Sequence, residues 1–242
     1  MDANSCSSDV NSLADAFCWA RHCVSALHAA DNRDCVQHAE QCLATGTLST
    51  TFSGLGTPEN ANLALSEAIE HALQTGRPQH MPCIWAAEWD NEAQYELLAQ
   101  PEPSKPCCLF GDIRNFLNKK IRKTVLYTLS MLTFPNLLRI VLTPGAVTNE
   151  AWCFRHARLC KLSAAFIHVA GPPCVDFSSQ GKQMGIEGPA SLALLIWLAL
   201  RLRLEEPVIV FENVVRFPKQ LLTQALISDE IVRSCNQDFG CC

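Results

Sequence analysis

From Leu48 onward, short apolar runs alternate with longer stretches of helical periodicity, and this alternation limits the possible folds more than any other feature. The candidate strands are Thr50–Ser53, Ile84–Ala87, Cys108–Gly111, Ala165–Ala170 and Val208–Phe211. The candidate helices are Asn60–Gln74, Asn91–Gln100, Arg114–Leu132, Asn149–Leu162, Ala190–Leu204 and Lys219–Ile227. Strands that alternate with helices predict βαβ units, and therefore an α/β fold with a doubly wound, mostly parallel sheet.

The residues before this region predict a separate helical segment. Apolar positions recur at helical spacing over residues 9–44, with a break at Asp31-Asn32. We therefore expect a helical N-terminal extension over residues 1–46 and one domain over residues 47–242. The extension also contains Cys18, His22, Cys23, His28, Cys35, His38 and Cys42. No CxxC pair occurs there, so we expect packed thiols and no metal site.

Composition narrows the setting in which the chain works. It has 14 cysteines but no apolar leader at its beginning, so we expect reduced thiols and an intracellular protein. Its most apolar run, Ala190–Leu200, is shorter than the roughly 20 residues that span a bilayer, and predicts a buried helix and no membrane partner. The net charge of −5 argues mildly against tight nucleic-acid binding by this chain alone.

The string GPPCVDFSSQGK, residues 171–182, follows the strand that ends at Ala170. Two prolines fix the direction of Cys174 while the following loop leaves it accessible, as an attacking thiol requires. This string resembles the catalytic loop of the cytosine-5 DNA methyltransferases, whose pattern is G-x-P-C-x-x-F-S followed by Gly-Lys. The strand Val208–Phe211 and the Glu212-Asn213-Val214 that follows it resemble that family's next catalytic motif.

The resemblance implies a Rossmann-like fold of the S-adenosylmethionine-dependent methyltransferases, with Cys174 as nucleophile and Glu212 as the carboxylate that holds the base. One crossover separates the two motifs, so they would face one pocket at neighbouring strand ends. By the same resemblance, the residues that contact the substrate base are Phe177, Ser178, Asn213 and Val214.

The cofactor-binding motifs of the family have counterparts at three earlier strand ends. Phe52-Ser53-Gly54-Leu55-Gly56 resembles the glycine-rich turn, which lets a backbone approach the ligand closely. Glu88-Trp89 could bind the ribose and adenine, and Asp112-Ile113 could accept from the adenine amino group. The implied contacts to S-adenosylmethionine are Phe52, Gly54, Leu55, Gly56, Glu88, Trp89, Asp112, Ile113, Pro173 and Leu192.

The chain departs from the family after Val214. Only 28 residues follow (242 − 214), so we expect a C-terminally incomplete domain without its target recognition part. Three interpretations remain open: methylation of cytosine in DNA, methylation of cytosine in RNA such as tRNA, and a non-catalytic remnant that binds cofactor or a partner protein. A nuclear location follows only if DNA is the substrate. Sequence spacing identifies no partner residue for His156 or His168, and the sequence does not predict the oligomeric state.

Overall fold

The computed structural model describes residues 18–30, 32–220 and 222. Contacts divide these residues into two compact units. The first contains the described residues up to Gly46 together with Pro58–Met81, and the second contains Thr47–Thr57 and the described residues from Pro82 onward.

The first unit is helical. It contains α1 (Cys18–Ala29), α2 (Arg33–Thr45) and all but the first residue of α3 (Thr57–Leu73). Ala20 and Val24 on α1 and Val36 and Leu43 on α2 are buried, and the two helices pack together through these apolar positions. The two N-terminal helices were predicted; residues 9–17 and Asp31 of that prediction lie outside the described residues.

The second unit is built on a seven-stranded sheet. Its strands are β1 (Leu48–Thr51), β2 (Cys83–Ala87), β3 (Leu109–Phe110), β4 (Glu150–Cys153), β5 (Arg158–Lys161), β6 (Ile167–Ala170) and β7 (Val208–Phe211). Their order is β5-β4-β3-β2-β1-β6-β7. All neighbours run parallel except the pairs β3–β4 and β4–β5. This mixed α/β sheet confirms the predicted Rossmann-like fold class.

The parallel register brings four strand ends level with one another. Thr51 at the end of β1 pairs with Ala87 of β2 and with Ala170 of β6, and Ala170 pairs in turn with Phe211 of β7. The loops that follow these strands therefore leave the sheet at the same edge. The chain reverses its winding direction between β1 and β6, which is where open α/β sheets bind ligands.

Four further helices belong to the second unit: α4 (Asn91–Ala99), α5 (Lys119–Thr128), α6 (Phe134–Val141) and α7 (Ser191–Leu204). Helix α7 is apolar on all sides and buried along most of its length, as predicted from its composition. Buried Arg201 near its end forms an ion pair with buried Glu206. No helix among the described residues has the length and apolar character needed to cross a membrane.

Two helix predictions were wrong. Asn149–Leu162 forms the antiparallel hairpin β4–β5, with Ala151 opposite Cys160. Arg114–Leu132 is interrupted: a 3₁₀ turn over Ile113–Phe116 precedes α5, and the side chain of Asn118 caps α5 by accepting the Lys120 N–H. Of the predicted helix Lys219–Ile227, all but residues 219, 220 and 222 lies outside the described residues.

A buried histidine links three elements beneath the strand ends. Trp197 of α7 donates its indole N–H to Nε2 of His168 on β6 at 3.0 Å, and the Ser49 hydroxyl of β1 lies 2.7 Å from Nδ1. Because an indole N–H only donates, Nε2 accepts and the ring proton sits on Nδ1. Burial and then nearby Arg201 hold the pKa of His168 well below 6.5, so this imidazole is neutral.

Candidate active site

The loop after β6 turns sharply at Cys174. The backbone N–H groups of Phe177 and Ser178 both donate to the Cys174 carbonyl, at 2.9 and 2.8 Å. The Cys174 side chain is half-buried, and its thiol makes no hydrogen bond to the described residues. The turn therefore fixes the Cys174 backbone while leaving its sulfur reachable from solvent.

The far end of this loop folds back onto its beginning. The Lys182 N–H donates to the Val175 carbonyl at 2.8 Å. A Cβ placed on Gly181 would lie 1.9 Å from that carbonyl oxygen, so only glycine fits here. The Gly-Lys pair in the motif thus closes the loop on itself.

Asp176 ties the loop to the start of α7. Its side chain is fully buried, and Oδ2 accepts the backbone N–H of Ala190 at 3.0 Å. A Cβ on Gly188 would approach the Asp176 Cγ to 2.1 Å, so the carboxylate occupies the space that a larger residue would need. Asp176 therefore holds the position of the loop that carries Cys174.

Glu212 lies at the neighbouring strand end. Its N–H donates to the Ala170 carbonyl at 2.9 Å, and its exposed side chain turns back over Gly171, where an added Cβ would be 3.4 Å from Oε2. Asn213 donates its Nδ2 to the Pro172 carbonyl at 3.2 Å. The Glu-Asn pair after β7 is thus in contact with the beginning of the Cys174 loop.

A cavity of about 230 Å³ opens beside this junction. It is lined by Phe177, Ser178, Ser179, Val214, Val215 and Arg216. Among these residues, Phe177 packs its ring against Phe217 with centroids 4.9 Å apart, and Phe217 packs against Phe211 at 5.1 Å. Three of the four residues expected to contact substrate line the cavity, and Asn213 contacts the loop instead.

Glu88 follows β2 and connects the turns at the ends of β1 and β2. Its carboxylate is 5% exposed; Oε2 accepts the Gly54 N–H at 2.8 Å and Oε1 accepts the Asp90 N–H at 2.9 Å. One side chain thus links the glycine-rich turn after β1 to the turn before α4. Each carboxylate oxygen has further acceptor capacity for hydroxyl donors.

The glycine-rich turn has left-handed backbone at three positions. Gly54 and Gly56 have φ of +53° and +87°, and Phe52, half-buried against the core, has φ of +56°. Leu55 at the tip of the turn and Trp89 after β2 are 65% and 64% exposed. Two large apolar side chains therefore project into solvent beside a buried carboxylate, an arrangement suited to a ligand with a flat ring.

The remaining expected cofactor residues occupy different environments. Asp112 follows β3 and caps the next turn, with Oδ1 accepting the Arg114 N–H at 2.8 Å, while Ile113 is buried. Pro173 is exposed in the Cys174 loop. Leu192 on α7 is 1% exposed and belongs to the hydrophobic core.

Sequence reasoning missed several residues of this region. Arg216 and Val215 line the cavity although no motif contains them, and Ser179 lines it although it was not among the predicted contacts of the loop motif. The position of Asp176 inside the loop motif was visible, but its link to Ala190 depends on folding. A basic residue two positions after Val214 was the available signal for Arg216.

Comparison with known families supports the sequence-based assignment. Residues 160–227 match the family model described as C-5 cytosine-specific DNA methylase. The match covers the Cys174 loop and the strand before Glu212, whereas the turns at Gly54, Glu88 and Asp112 lie outside it. A search of curated proteins finds no match to the chain. Through residues 160–227, the chain is similar to the C-5 cytosine-specific DNA methylases.

Proposed function

We propose that this chain transfers a methyl group from S-adenosylmethionine to carbon 5 of cytosine in DNA, through a covalent bond between Cys174 and carbon 6. The observation that carries the proposal is the junction of two motifs inside the family match. The accessible Cys174 lies in the loop after β6, and Glu212 leaves the adjoining β7 and turns back over that loop.

The turns that follow β1 and β2 support the proposed cofactor. Glu88 supplies a buried carboxylate for ribose hydroxyls, and exposed Trp89 supplies an aromatic face for adenine. Left-handed Gly54, with no atoms near an added Cβ, leaves room for close approach to the backbone. When bound, S-adenosylmethionine supplies an electrophilic methyl group on a sulfonium sulfur.

Cys174 makes carbon 5 of the base reactive. Its thiolate forms a bond to carbon 6, and the electron pair of the 5,6 double bond moves toward carbon 5, which becomes nucleophilic. After carbon 5 carries its methyl group, a base removes the carbon 5 proton. The electrons of that C–H bond restore the double bond, and the bond from Cys174 to carbon 6 breaks to regenerate the thiolate.

Glu212 exchanges a proton with ring nitrogen 3, on the side of the base opposite carbon 6. Ring nitrogen 3 gains a proton as negative charge develops in the adduct, and a protonated Glu212 carboxyl donates it. The same carboxylate takes the proton back on elimination and can accept a hydrogen bond from the exocyclic amine. The contact between Asn213 and Pro172 keeps this carboxylate beside the loop that carries the nucleophile.

The cavity beside the loop suits a base that has left its duplex. Carbons 5 and 6 are stacked inside DNA, so the nucleotide must rotate out of the helix. Phe177, Ser178 and Ser179 line the cavity of about 230 Å³, and Arg216 offers a cation for a flanking phosphate. DNA as substrate also places the protein inside the cell, and in the nucleus where the DNA is nuclear.

A covalent trap tests the proposal. In an oligonucleotide that carries 5-fluorocytosine, carbon 5 has no proton to lose after methylation, so elimination stalls. With S-adenosylmethionine, the wild-type chain should form a denaturation-resistant adduct with DNA, and Cys174→Ser should form none. Cys107→Ser, an exposed thiol elsewhere, is the matched control. Tritium transfer to tRNA but not to DNA would favour the RNA interpretation, and retained turnover by Cys174→Ser would refute the mechanism.

Cofactor binding is tested separately from transfer. Trp89→Ala removes the exposed aromatic face and should weaken S-adenosylmethionine binding about 10-fold, since such stacking contributes on the order of 1 kcal/mol or more. Isothermal titration measures the change in affinity. The control is Tyr95→Ala, because Tyr95 is also an exposed aromatic residue but lies on α4. Cofactor binding by wild type without any transfer would favour the non-catalytic interpretation.

A further inference from the structure

Four potential metal ligands meet at the antiparallel edge of the sheet, away from the Cys174 loop. Cys108, Cys153, His156 and Cys160 each offer one ligand atom, and these atoms all lie within 4.8 Å of one another. Among the described residues this is the one such group of three or more Cys, His, Asp or Glu ligands. We call these four residues the Cys₃His cluster.

The three sulfur–nitrogen distances within the cluster match edges of a tetrahedron around a zinc ion. The sulfurs of Cys108, Cys153 and Cys160 lie 3.5, 3.4 and 3.6 Å from Nδ1 of His156. With Zn–S near 2.3 Å and Zn–N near 2.0–2.1 Å, tetrahedral geometry puts sulfur about 3.6 Å from nitrogen. Three thiols thus surround one imidazole nitrogen at the separation that a shared zinc ion requires.

The fold holds each ligand in place through backbone pairing. Cys108 immediately precedes β3, and its carbonyl accepts the Ala86 N–H of β2 at 2.9 Å. Cys153 ends β4 opposite Phe110 of β3, and Cys160 lies on β5. His156 occupies the turn between β4 and β5. The ligands come from β4, from β5, from the residue before β3 and from the β4–β5 turn, and these three strands are hydrogen-bonded neighbours.

A second layer of contacts fixes the turn that carries His156. Arg155 donates to the Pro106 carbonyl at 2.6 Å and pairs with the Glu102 carboxylate at 3.1 Å. The neighbouring residue on the strand side, Phe154, donates its N–H to the Leu109 carbonyl at 2.7 Å. The two residues just before His156 therefore attach the hairpin to the segment around Cys108.

We propose that the Cys₃His cluster binds one structural zinc ion. Three thiolates and one imidazole are a usual zinc set, and soft sulfur ligands select against Mg²⁺ and Ca²⁺. All four coordination positions come from the protein, so no position remains for a catalytic water. The assignment does not depend on methyl transfer.

Binding has a defined proton balance. Zinc binds thiolates, so three thiol protons leave to solvent if all three cysteines coordinate, and the complex carries a net charge of −1 with neutral His156. The divalent cation at the centre thus offsets most of the charge of the three thiolates.

The site would strengthen a weakly paired part of the sheet. In the ladder, β3 and β4 share the single residue pair Phe110–Cys153. The ring of Phe154 lies close to the turn after β3, where a Cβ on Gly111 would be 3.0 Å from Cε2. Zinc would hold the hairpin against β3 and keep this ring beside Gly111, one residue before Asp112.

Metal analysis of the full chain tests the proposal. Protein purified without chelators should contain zinc by elemental mass spectrometry. His156→Ala should lower the zinc content by about one ion per chain, so that at most about a tenth of the cluster sites stay occupied. His156 is exposed, so its loss leaves the core intact. The difference in zinc content between wild type and His156→Ala counts only the ion at the cluster. Any zinc bound by the cysteines and histidines of residues 18–42 contributes equally to both proteins and cancels.

Two further variants complete the design. Cys107→Ser alters the exposed neighbour of Cys108 and should keep wild-type zinc content, whereas His156→Cys supplies a fourth thiolate and should restore tight binding. Co²⁺ in place of zinc should show the absorption of tetrahedral thiolate coordination in wild type and His156→Cys, whose clusters are complete, and should not show it in His156→Ala. A wild-type chain without zinc, a His156→Ala variant with unchanged zinc, or a disulfide within the cluster by thiol counting would each overturn the proposal.

Discussion

Cys174 and the cysteines of the Cys₃His cluster are free thiols of one chain in opposite surroundings. Cys174 stands alone in a loop, half-buried and without a hydrogen-bond partner among the described residues. The cluster sulfurs each lie within 3.6 Å of the same imidazole nitrogen. A nucleophile needs open approach, whereas a metal ligand needs other ligands around it. The comparison shows that neighbours, more than residue type, decide what a cysteine can do.

The sharpest way to break this comparison is to replace one thiol of each kind. Cys174→Ser should reduce methyl transfer about 10⁴-fold or more, as loss of a covalent nucleophile does, while zinc content stays at the wild-type level. Cys160→Ser should lose zinc and cost about 3 kcal/mol of unfolding free energy. Radiolabel transfer, elemental analysis and urea denaturation measure the three quantities. Loss of zinc in Cys174→Ser would show that the two thiol environments are not separate.

A smaller effect should follow from disturbing the support of the Cys174 loop without touching its sulfur. In Gly188→Ala, the new Cβ would collide with the Asp176 carboxylate 2.1 Å away and push it from the Ala190 N–H. Overpacking of this kind costs about 1–3 kcal/mol.

Denaturation should therefore show a less stable variant, and kcat should fall more than the KM for cofactor rises. Pro189→Ala, at the exposed neighbouring position, serves as the control and should match wild type. A Gly188→Ala variant with wild-type kcat would mean that Asp176 does not position the loop.

The smallest effect contrasts the two histidines that sequence left without partners. His156 is exposed in the Cys₃His cluster, whereas His168 is buried and its pKa is held well below 6.5. Below about pH 6.5 the unfolded chain binds a proton at His168 that the folded chain does not, so stability falls as pH falls. The contribution is at most about 1.4 kcal/mol per pH unit.

Urea denaturation between pH 7 and pH 5 measures this dependence. His168→Gln removes the titrating group and keeps an acceptor for the Trp197 N–H, so its stability should change less over that range. Identical pH profiles for the two proteins would contradict the assignment of a neutral His168 in the folded state.

Much of the sheet could be predicted because each of these strands is a short apolar run that is recognisable from its own consecutive residues. The strand Val208–Phe211 was placed at its observed bounds, and β2 and β6 were each placed within two residues at their ends. The motifs at Gly54, Glu88, Cys174 and Glu212 follow strands directly, so parallel pairing alone brings them to one edge.

The β4–β5 hairpin could not be predicted in the same way. Ala151 and Cys153 are buried at the two-residue spacing of a strand, but an alternation this short falls below the run of about four to eight residues that identifies one. The spacing Cys153-x₂-His156-x₃-Cys160 was the available signal for chain reversal around a common point, but the fourth member, Cys108, is distant in sequence. Likewise, the partners of His168 lie on β1 and α7, and only the folded chain brings them together.

The carboxylate of Glu88 has a consequence for how a ligand would be received. It already bridges the Gly54 and Asp90 N–H groups across two turns before anything binds. A receptor whose walls are fixed in advance spends little of its interaction energy on ordering itself. The turns beside Leu55 and Trp89 would therefore act as a preorganised cradle, and association there would require docking rather than refolding of the protein.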